Sequence, residues 1–374
     1  MKKIPLSSPD ITEQEIKSVV DVLRTPRLSL GPELAAFENE FANFVGTQYA
    51  IAVSSGTAGL HCVVKALNIG DGDEVITTPF SFIASANCIW FERAKPVFVD
   101  IDEKTLCIDA DKIESAITPR TKAILPVHLI GETCAMDKIQ KIAQKHKLLV
   151  IEDACEALGT GFNGKKVGSL GDAGVFAFYP NKQMTTGEGG MIVTNNRELT
   201  EVCRSLRNQG RAPGDGFVFD RLGYNYRLSD IQCALGRVQL RRLNDMIKMR
   251  RQVAGWYAEE LENVSDIILP AGIQSSTISW FIFLIRLSKD YTADDRHEIR
   301  KLLSEQGIET AAYFPNIHLQ SFYKKTFGYE AGSFPVCEST SERTIALPFY
   351  NNLKRDDVRF VTDQLKLALQ KVSV

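Results

Sequence analysis

The chain has 374 residues, 44% hydrophobic and 24% charged, with a formal net charge of -2. That balance suits a globular chain with a large core and room for two lobes, and offers no electrostatic case for a nucleic-acid partner. No apolar run approaches the roughly 20 residues that cross a bilayer, and none follows the N-terminal lysines as in a secretory signal, so the expected location is cytoplasmic, without a membrane partner.

In chain order, short β-branched runs alternate with helical stretches from about residue 47 to 195. Strands are predicted at Tyr49–Val53, Glu74–Thr77, 96–101, 123–127, 148–152, 174–178 and 191–194, with helices at 58–67 and Met136–His146 between some of them. This alternation predicts an α/β sheet covered on both faces. From Ser229, a plausible N-cap, the pattern becomes one long amphipathic helix to residue 261. A strand at 281–287 and helices at 293–306 and 355–371 then suffice for a smaller α+β lobe. The expected division is 1–245 and 246–374, inside the long helix, with the first 30 or so residues able to pack on either lobe. Eight cysteines form no CxxC pair and five histidines no HxH or HExxH spacing, so reduced, mostly buried thiols are expected and no metal site.

Four patches follow predicted strand ends or sit on loops, the edge where open α/β sheets bind ligands. In VSSGTAGL, Gly56 and Thr57 open a helix whose first N–H groups lack internal partners, which makes either a phosphate site or an ordinary Ser/Thr cap. Asp153 ends the apolar run of LLVIEDACEALG; a carboxylate there can hold a cation such as a protonated pyridine nitrogen, or serve as a structural acceptor. Lys182, in FAFYPNKQMTTGEGG, is a solvated charge unless the fold buries it among groups that tune its amine. At the head of the long helix, GYNYR offers Asn225 and Arg227 as phosphate donors, or else packs its tyrosines and caps a carbonyl with its arginine.

In this order, with Lys182 placed 29 residues after Asp153, the patches resemble the DegT/StrS-type sugar aminotransferase family. The resemblance runs over nearly the whole chain, through GPELAAFENEFANFVG, TPFSFIASAN, VHLIG and LPFYNNL. It implies the type I fold of pyridoxal-phosphate aminotransferases: a large domain with a mixed, mostly parallel seven-stranded sheet, and a smaller C-terminal α+β domain. It further implies a homodimer with shared active sites. On the matching positions, Lys182 would bind pyridoxal 5'-phosphate as a Schiff base, Asp153 would pair with the pyridine nitrogen and Phe82 would stack on the ring. Gly56 and Thr57 would hold the phosphate, together with Asn225 of the partner subunit. The usual donor would be L-glutamate and the acceptor a nucleotide-linked keto sugar.

Two positions depart from the family pattern. Ala177 stands where many members carry a phosphate-binding serine, so phosphate binding would lean on Gly56, Thr57 and Asn225, or on Ser55 or Asn181. Glu156 stands where Gln or His is common near the cofactor's phenolic oxygen; an ionised Glu156 would repel that oxygen, so it is expected to be protonated or displaced. Dehydrating relatives replace the lysine by histidine, so Lys182 favours transamination. EDACEALG and NKQMTTGEGG look most like the perosamine-forming members, which aminate C4 of a 4-keto-6-deoxy sugar nucleotide; a 3-keto sugar is the alternative. The loop residues Trp280, Tyr313, Pro315, His318 and Phe322 are expected to border the substrate, Tyr313 and His318 foremost. A non-catalytic cofactor-binding regulator would need a lost lysine or an added DNA-binding module. Decarboxylation or β-elimination on the same fold would need no keto acceptor.

Overall fold

Strands that are apolar on both faces need cover on both, and the first half of the chain supplies it by wrapping helices around one mixed sheet. The computed structural model describes residues 3–214 and 216–372; residues 1, 2, 215, 373 and 374, which fall within the expected lobes, lie outside the described residues. The strands are β1 (Tyr49–Val53), β2 (Glu74–Thr77), β3 (Lys95–Phe98), β4 (Thr121–Ile124), β5 (Leu149–Asp153), the hairpin β6 (Gly161–Phe162) and β7 (Lys165–Lys166), then β8 (Ala173–Ala177) and β9 (Gly190–Thr194). A second, antiparallel sheet contains β10 (Ile267–Ile268), β11 (Phe283–Leu287) and β12 (Thr344–Leu347). The helices are α1 (Glu13–Leu23), α2 (Pro32–Val45), α3 (Gly56–Ala66), α4 (Ala84–Phe91), α5 (Ala110–Ile113), α6 (Met136–His146), α7 (Arg197–Arg207), α8 (Asp230–Leu261), α9 (Ala293–Glu305), α10 (Ser321–Phe327), α11 (Pro335–Arg343) and α12 (Arg355–Val372).

The large sheet has seven strands in the order β1-β9-β8-β5-β4-β2-β3. Only β9 runs antiparallel to its neighbours, so the sheet is mixed and mostly parallel, as expected. The apolar run of β5 takes the central place that such a sequence needs. Pairing in β3 stops at Phe98, short of the expected end, and Ile101 bridges Ile108 instead. Pro96 is tolerated because β3 is an edge strand, where a missing N–H breaks no ladder. The ladder of β4 ends at Ile124, before Pro126, although Val127 still bridges Asp153.

The N-terminal segment packs on both sheets' surroundings rather than on one. Ile4 pairs with Ile308 and enters the core of the small sheet, beside Phe283, Ile345 and Val361. Further on, α1 lies along α8, where Ser18 Oγ donates to Ala234 O and Arg242 bridges Asp10 and Glu15. Asp230, in the first turn of α8, caps α2 by accepting from Gly31 N at 2.8 Å and Glu33 N at 3.1 Å. A Cβ on Gly31 would lie 2.2 Å from Asp230 Oδ2, so only glycine lets the cap approach.

Buried Glu15 shows how firmly this segment is held. Burial alone would raise its pKa, but hydrogen bonds from Thr12, Arg242 and Gln239 prevail and hold the carboxyl at about 2. Because the folded value lies below the ordinary one, the charged form stabilises the fold near neutrality, and that contribution is lost as pH falls through 4 toward 2. We expect Glu15→Gln to cost about 2–3 kcal/mol at pH 7, and its gap to the native protein to narrow by about 2 kcal/mol between pH 6 and pH 3. Urea denaturation across that range measures both.

Candidate active site

The end of β5 turns two consecutive carboxylates to opposite faces of the sheet, as the strand's period of two requires. Glu152 is fully buried and accepts from Gly168 N, Leu170 N, Gly171 N and His128 Nε2 at 2.6–2.9 Å. Since His128 Nδ1 accepts from Cys134 N, His128 donates through Nε2, and Glu152 is a satisfied structural anion. Asp153 faces a cavity instead. Its Oδ2 accepts from Ser85 Oγ at 3.0 Å and its Oδ1 from Cys155 N at 3.1 Å, leaving lone pairs for a further donor.

Lys182 reaches the same cavity from the loop after β8. A turn at Tyr179–Lys182, closed by Lys182 N donating to Tyr179 O at 2.9 Å, aims the residue inward. Arg250 of α8 holds the loop from behind by donating to Lys182 O and Phe281 O; burial lowers its pKa to about 10, so it stays charged near neutrality. Gln183 Nε2 adds bonds to Glu156 O and Ser279 O. Only 13% of the Lys182 side chain is exposed, and Nζ lies 3.7 Å from Glu156 Oε1 and 3.8 Å above the Phe281 ring. Burial pushes the Glu156 carboxyl above its usual range, opposed by Lys182 and by the N–H of Ile130. That direction favours the protonated form, one of the two alternatives expected for a glutamate here, the other being displacement. The Cys155 thiol beside them is pushed up by burial and by the charge of Asp153, which makes it a poor nucleophile.

The cavity has a volume of about 470 Å³. One wall is the start of α3, where Ser55 Oγ caps Ala58 N and the N–H groups of Gly56 and Thr57 have no intrahelical partner. A Cβ on Gly56 would lie 2.8 Å from both Ala177 Cβ and Cys155 Sγ, so glycine is needed for α3 to sit against β8. Phe82 lines another wall and is 62% exposed.

Gly56, Thr57, Phe82, Asp153, Glu156, Lys182 and Tyr313 are therefore brought together. Asn225 is not: it is exposed and lies outside its own chain's cavity, on a segment tied to Arg207 O and Ser54 N through Tyr226. Arg227 donates to Asn208 Oδ1 rather than to the cavity. His318 corrects an expectation. It is fully buried, bonded to Glu338 at 3.1 Å and packed on Phe334, so it does not border the cavity. Trp280 is buried against Phe283, Phe322 stacks on Trp90, and Pro315 also lies away from the cavity. Loop position and aromatic character misled here, because Trp280 and His318 are taken up by core packing while Phe322 and Pro315 stay exposed away from the cavity.

Sequence reasoning gave no role to Ser81, Cys155, Tyr179, Glu188, Phe281 or Phe314, which line the cavity, or to Ser85, which donates to Asp153. Ser85 follows the C-terminal end of β2, a position that could have flagged it. Nothing local marks Phe281, which comes from the small sheet's approach strand.

Residues 9–366 match the model of the DegT/DnrJ/EryC1/StrS aminotransferase family. The chain belongs to this family. It is 40% identical to the spore coat polysaccharide biosynthesis protein SpsC of Bacillus subtilis, covering 97% of this chain and 96% of that one. It is 38% identical to GDP-perosamine synthase of Caulobacter vibrioides, covering 100% and 99%. Among solved structures, the PLP-form and PMP-form of Spr1654 from Streptococcus pneumoniae superpose with a TM-score of 0.94 at 28% identity, covering 99% of this chain and 100% of theirs.

The protein is thus an aminotransferase with the type I fold, and its cofactor is pyridoxal phosphate. The cavity fits that group: unpaired N–H groups at a helix start for a phosphate, a strand-end carboxylate with free lone pairs for a ring nitrogen, and a buried amine for an aldehyde. We expect Gly56→Ala to lower the enzyme's cofactor affinity by about tenfold or more, since the added methyl must push α3 away from β8. Ala177→Gly in the same chain should restore part of the loss, as read by equilibrium dialysis of pyridoxal phosphate.

Proposed function

We propose that the enzyme transfers an amino group from L-glutamate to a nucleotide-linked keto sugar, with a 4-keto-6-deoxy sugar as acceptor. The observation that carries this reading is the buried amine of Lys182 sharing one cavity with Asp153 and Glu156. Likeness to a GDP-perosamine synthase and to a polysaccharide biosynthesis protein supports the sugar acceptor. A 3-keto sugar nucleotide is the second reading. A non-catalytic regulator is disfavoured, because Lys182 is retained and held in place by Arg250.

Bound pyridoxal phosphate supplies an electron sink that lets an amino group pass between two carbonyl compounds. Asp153, oriented by Ser85 and the Cys155 N–H, holds the proton on the ring nitrogen. Gly56 and Thr57 hold the phosphate. The Lys182 amine holds and moves a proton at the reacting carbon, with the Glu156 carboxyl, shifted toward its neutral form, 3.7 Å away. Phe281, whose ring lies 3.8 Å from it, shields that amine from water.

The working unit in this reading is a homodimer whose sites are shared through Asn225. Phe217, Val218, Phe219 and Leu222 are all more than half exposed, a surface that supports a subunit contact next to Asn225. The division into lobes 1–245 and 246–374 belongs to the same reading, supported by the separate core beneath the small sheet. Among the described residues no helix is long and apolar enough to cross a membrane, which is consistent with the cytoplasmic location proposed here.

Lys182→Ala should abolish the absorbance of lysine-bound cofactor and slow turnover by about a thousandfold or more with the fold intact. Full multiple turnover in that variant would end the assignment. Glutamate-dependent assays over 3-keto and 4-keto sugar nucleotides, read by mass spectrometry, should give an amino sugar and stoichiometric 2-oxoglutarate. Mixing Asn225→Ala with Lys182→Ala subunits should recover about a quarter to a half of native activity per dimer, since one of the two sites is then rebuilt. No recovery despite demonstrated subunit exchange argues against the shared site.

A further inference from the structure

Two side chains at the edge of the cavity keep hydrogen-bonding capacity that no protein group uses. Asn181 and Tyr313 both line it, with the Asn181 amide near the Tyr313 hydroxyl. The Tyr313 hydroxyl carries a hydrogen that a ligand in the cavity can accept. Asn181 Oδ1 is buried and has no donor. Burial pushes the Tyr313 hydroxyl up, and the Glu156 carboxyl adds to the effect, so the phenol keeps its proton near neutrality. One acceptor and one donor thus stand side by side.

A ligand group that satisfies both must accept and donate at once. An alcohol hydroxyl does so, whereas a carboxylate or a carbonyl only accepts. A carboxylate placed here would also face the Asn181 oxygen, itself an acceptor, and the nearby Glu156. Of the two substrates, the keto sugar alone brings hydroxyls; glutamate brings none. Asn181, Tyr313 and Lys182 line one cavity, so a hydroxyl held by the pair shares that cavity with the carbon that reacts at the lysine amine.

We propose that Asn181 and Tyr313 form a pair that reads the sugar hydroxyl next to the aminated carbon and does not bind the donor amino acid. The proposal rests on the keto-sugar reading above and adds to it the part of the sugar that is recognised. It also separates Asn181 from the cofactor phosphate, toward which its place in the loop could otherwise direct it.

The test is calorimetric titration of holoenzyme with a 4-amino-4,6-dideoxyhexose nucleotide and with its 3-deoxy analogue. Native enzyme should prefer the parent by about 10- to 100-fold, the usual effect of leaving a buried polar pair unmatched. In Asn181→Ala, and in Tyr313→Phe where only the hydroxyl is removed, the preference should collapse to within about threefold, with the KM for L-glutamate and the dissociation constant of pyridoxal phosphate each moving less than about threefold. Undiminished preference in both variants would overturn the proposal, and so would loss of cofactor from Asn181→Ala. If the native enzyme aminates no keto-sugar nucleotide, the functional reading fails and this one falls with it, a result distinct from preference surviving in the variants.

Discussion

A lysine amine buried 3.7 Å from a glutamate carboxyl, with an aspartate at the adjoining strand end, is the constraint the rest of the molecule serves. Burying such charges is unfavourable unless each finds a partner or a hydrogen bond. The fold meets that condition group by group. Asp153 takes Ser85 and a backbone N–H, Glu156 takes the Ile130 N–H and is shifted toward its neutral form, and Lys182 lies between Glu156 and the face of Phe281. The result is a reactive amine held in a defined place without being neutralised by a tight ion pair.

Holding that amine requires parts far apart in the chain. Arg250 of α8 binds the carbonyls of Lys182 and Phe281 together, so the loop after β8 and the approach to β11 move as one. Gln183 adds a second tie through Glu156 O and Ser279 O. The N-terminal segment joins the two sheets from outside, with Ile4 in the small core and Asp10 and Glu15 on Arg242. A site assembled from segments far apart in the chain gains rigidity from such ties, and rigidity is what keeps donors aimed before a substrate arrives.

The segment carrying Asn225 has a foundation of its own. Tyr224 and Tyr226 stack on each other 4.9 Å apart, and their hydroxyls meet Glu92 at 3.1 Å and His61 at 3.1 Å. His61 in turn bonds Glu92 at 2.8 Å. His61 lies on α3, the helix whose start lines the cavity, so one helix anchors both the cavity wall and the outward-facing asparagine. Asn225 is thus an exposed polar side chain on a rigid base, near exposed Phe217, Phe219 and Leu222 in the chain.

Much of the architecture was legible in the sequence because it follows from local rules. Apolar periodicity located β1, β2 and α6 to the residue, and the Ser229–Gln232 capping box starts α8 where the pattern changes. The helices α1 and α7 lie outside the predicted elements although Thr12, in a capping box with Glu15, caps one and Asn196 caps the other. Ordered motifs also placed Lys182, Asp153, Gly56 and Phe82 on one ligand-binding edge. What no local rule could decide is which neighbours these residues meet. Phe281 beneath the amine, Ser85 on the aspartate, Asn181 beside Tyr313, and His318 sealed inside an aromatic core are set by contacts between segments 68 or more residues apart or by the filling of a core. Sequence determines which groups are capable of the chemistry; three-dimensional packing decides which of them are dry, paired and within reach of one another, because charge burial and side-chain partnership depend on distances that the linear order of residues does not contain.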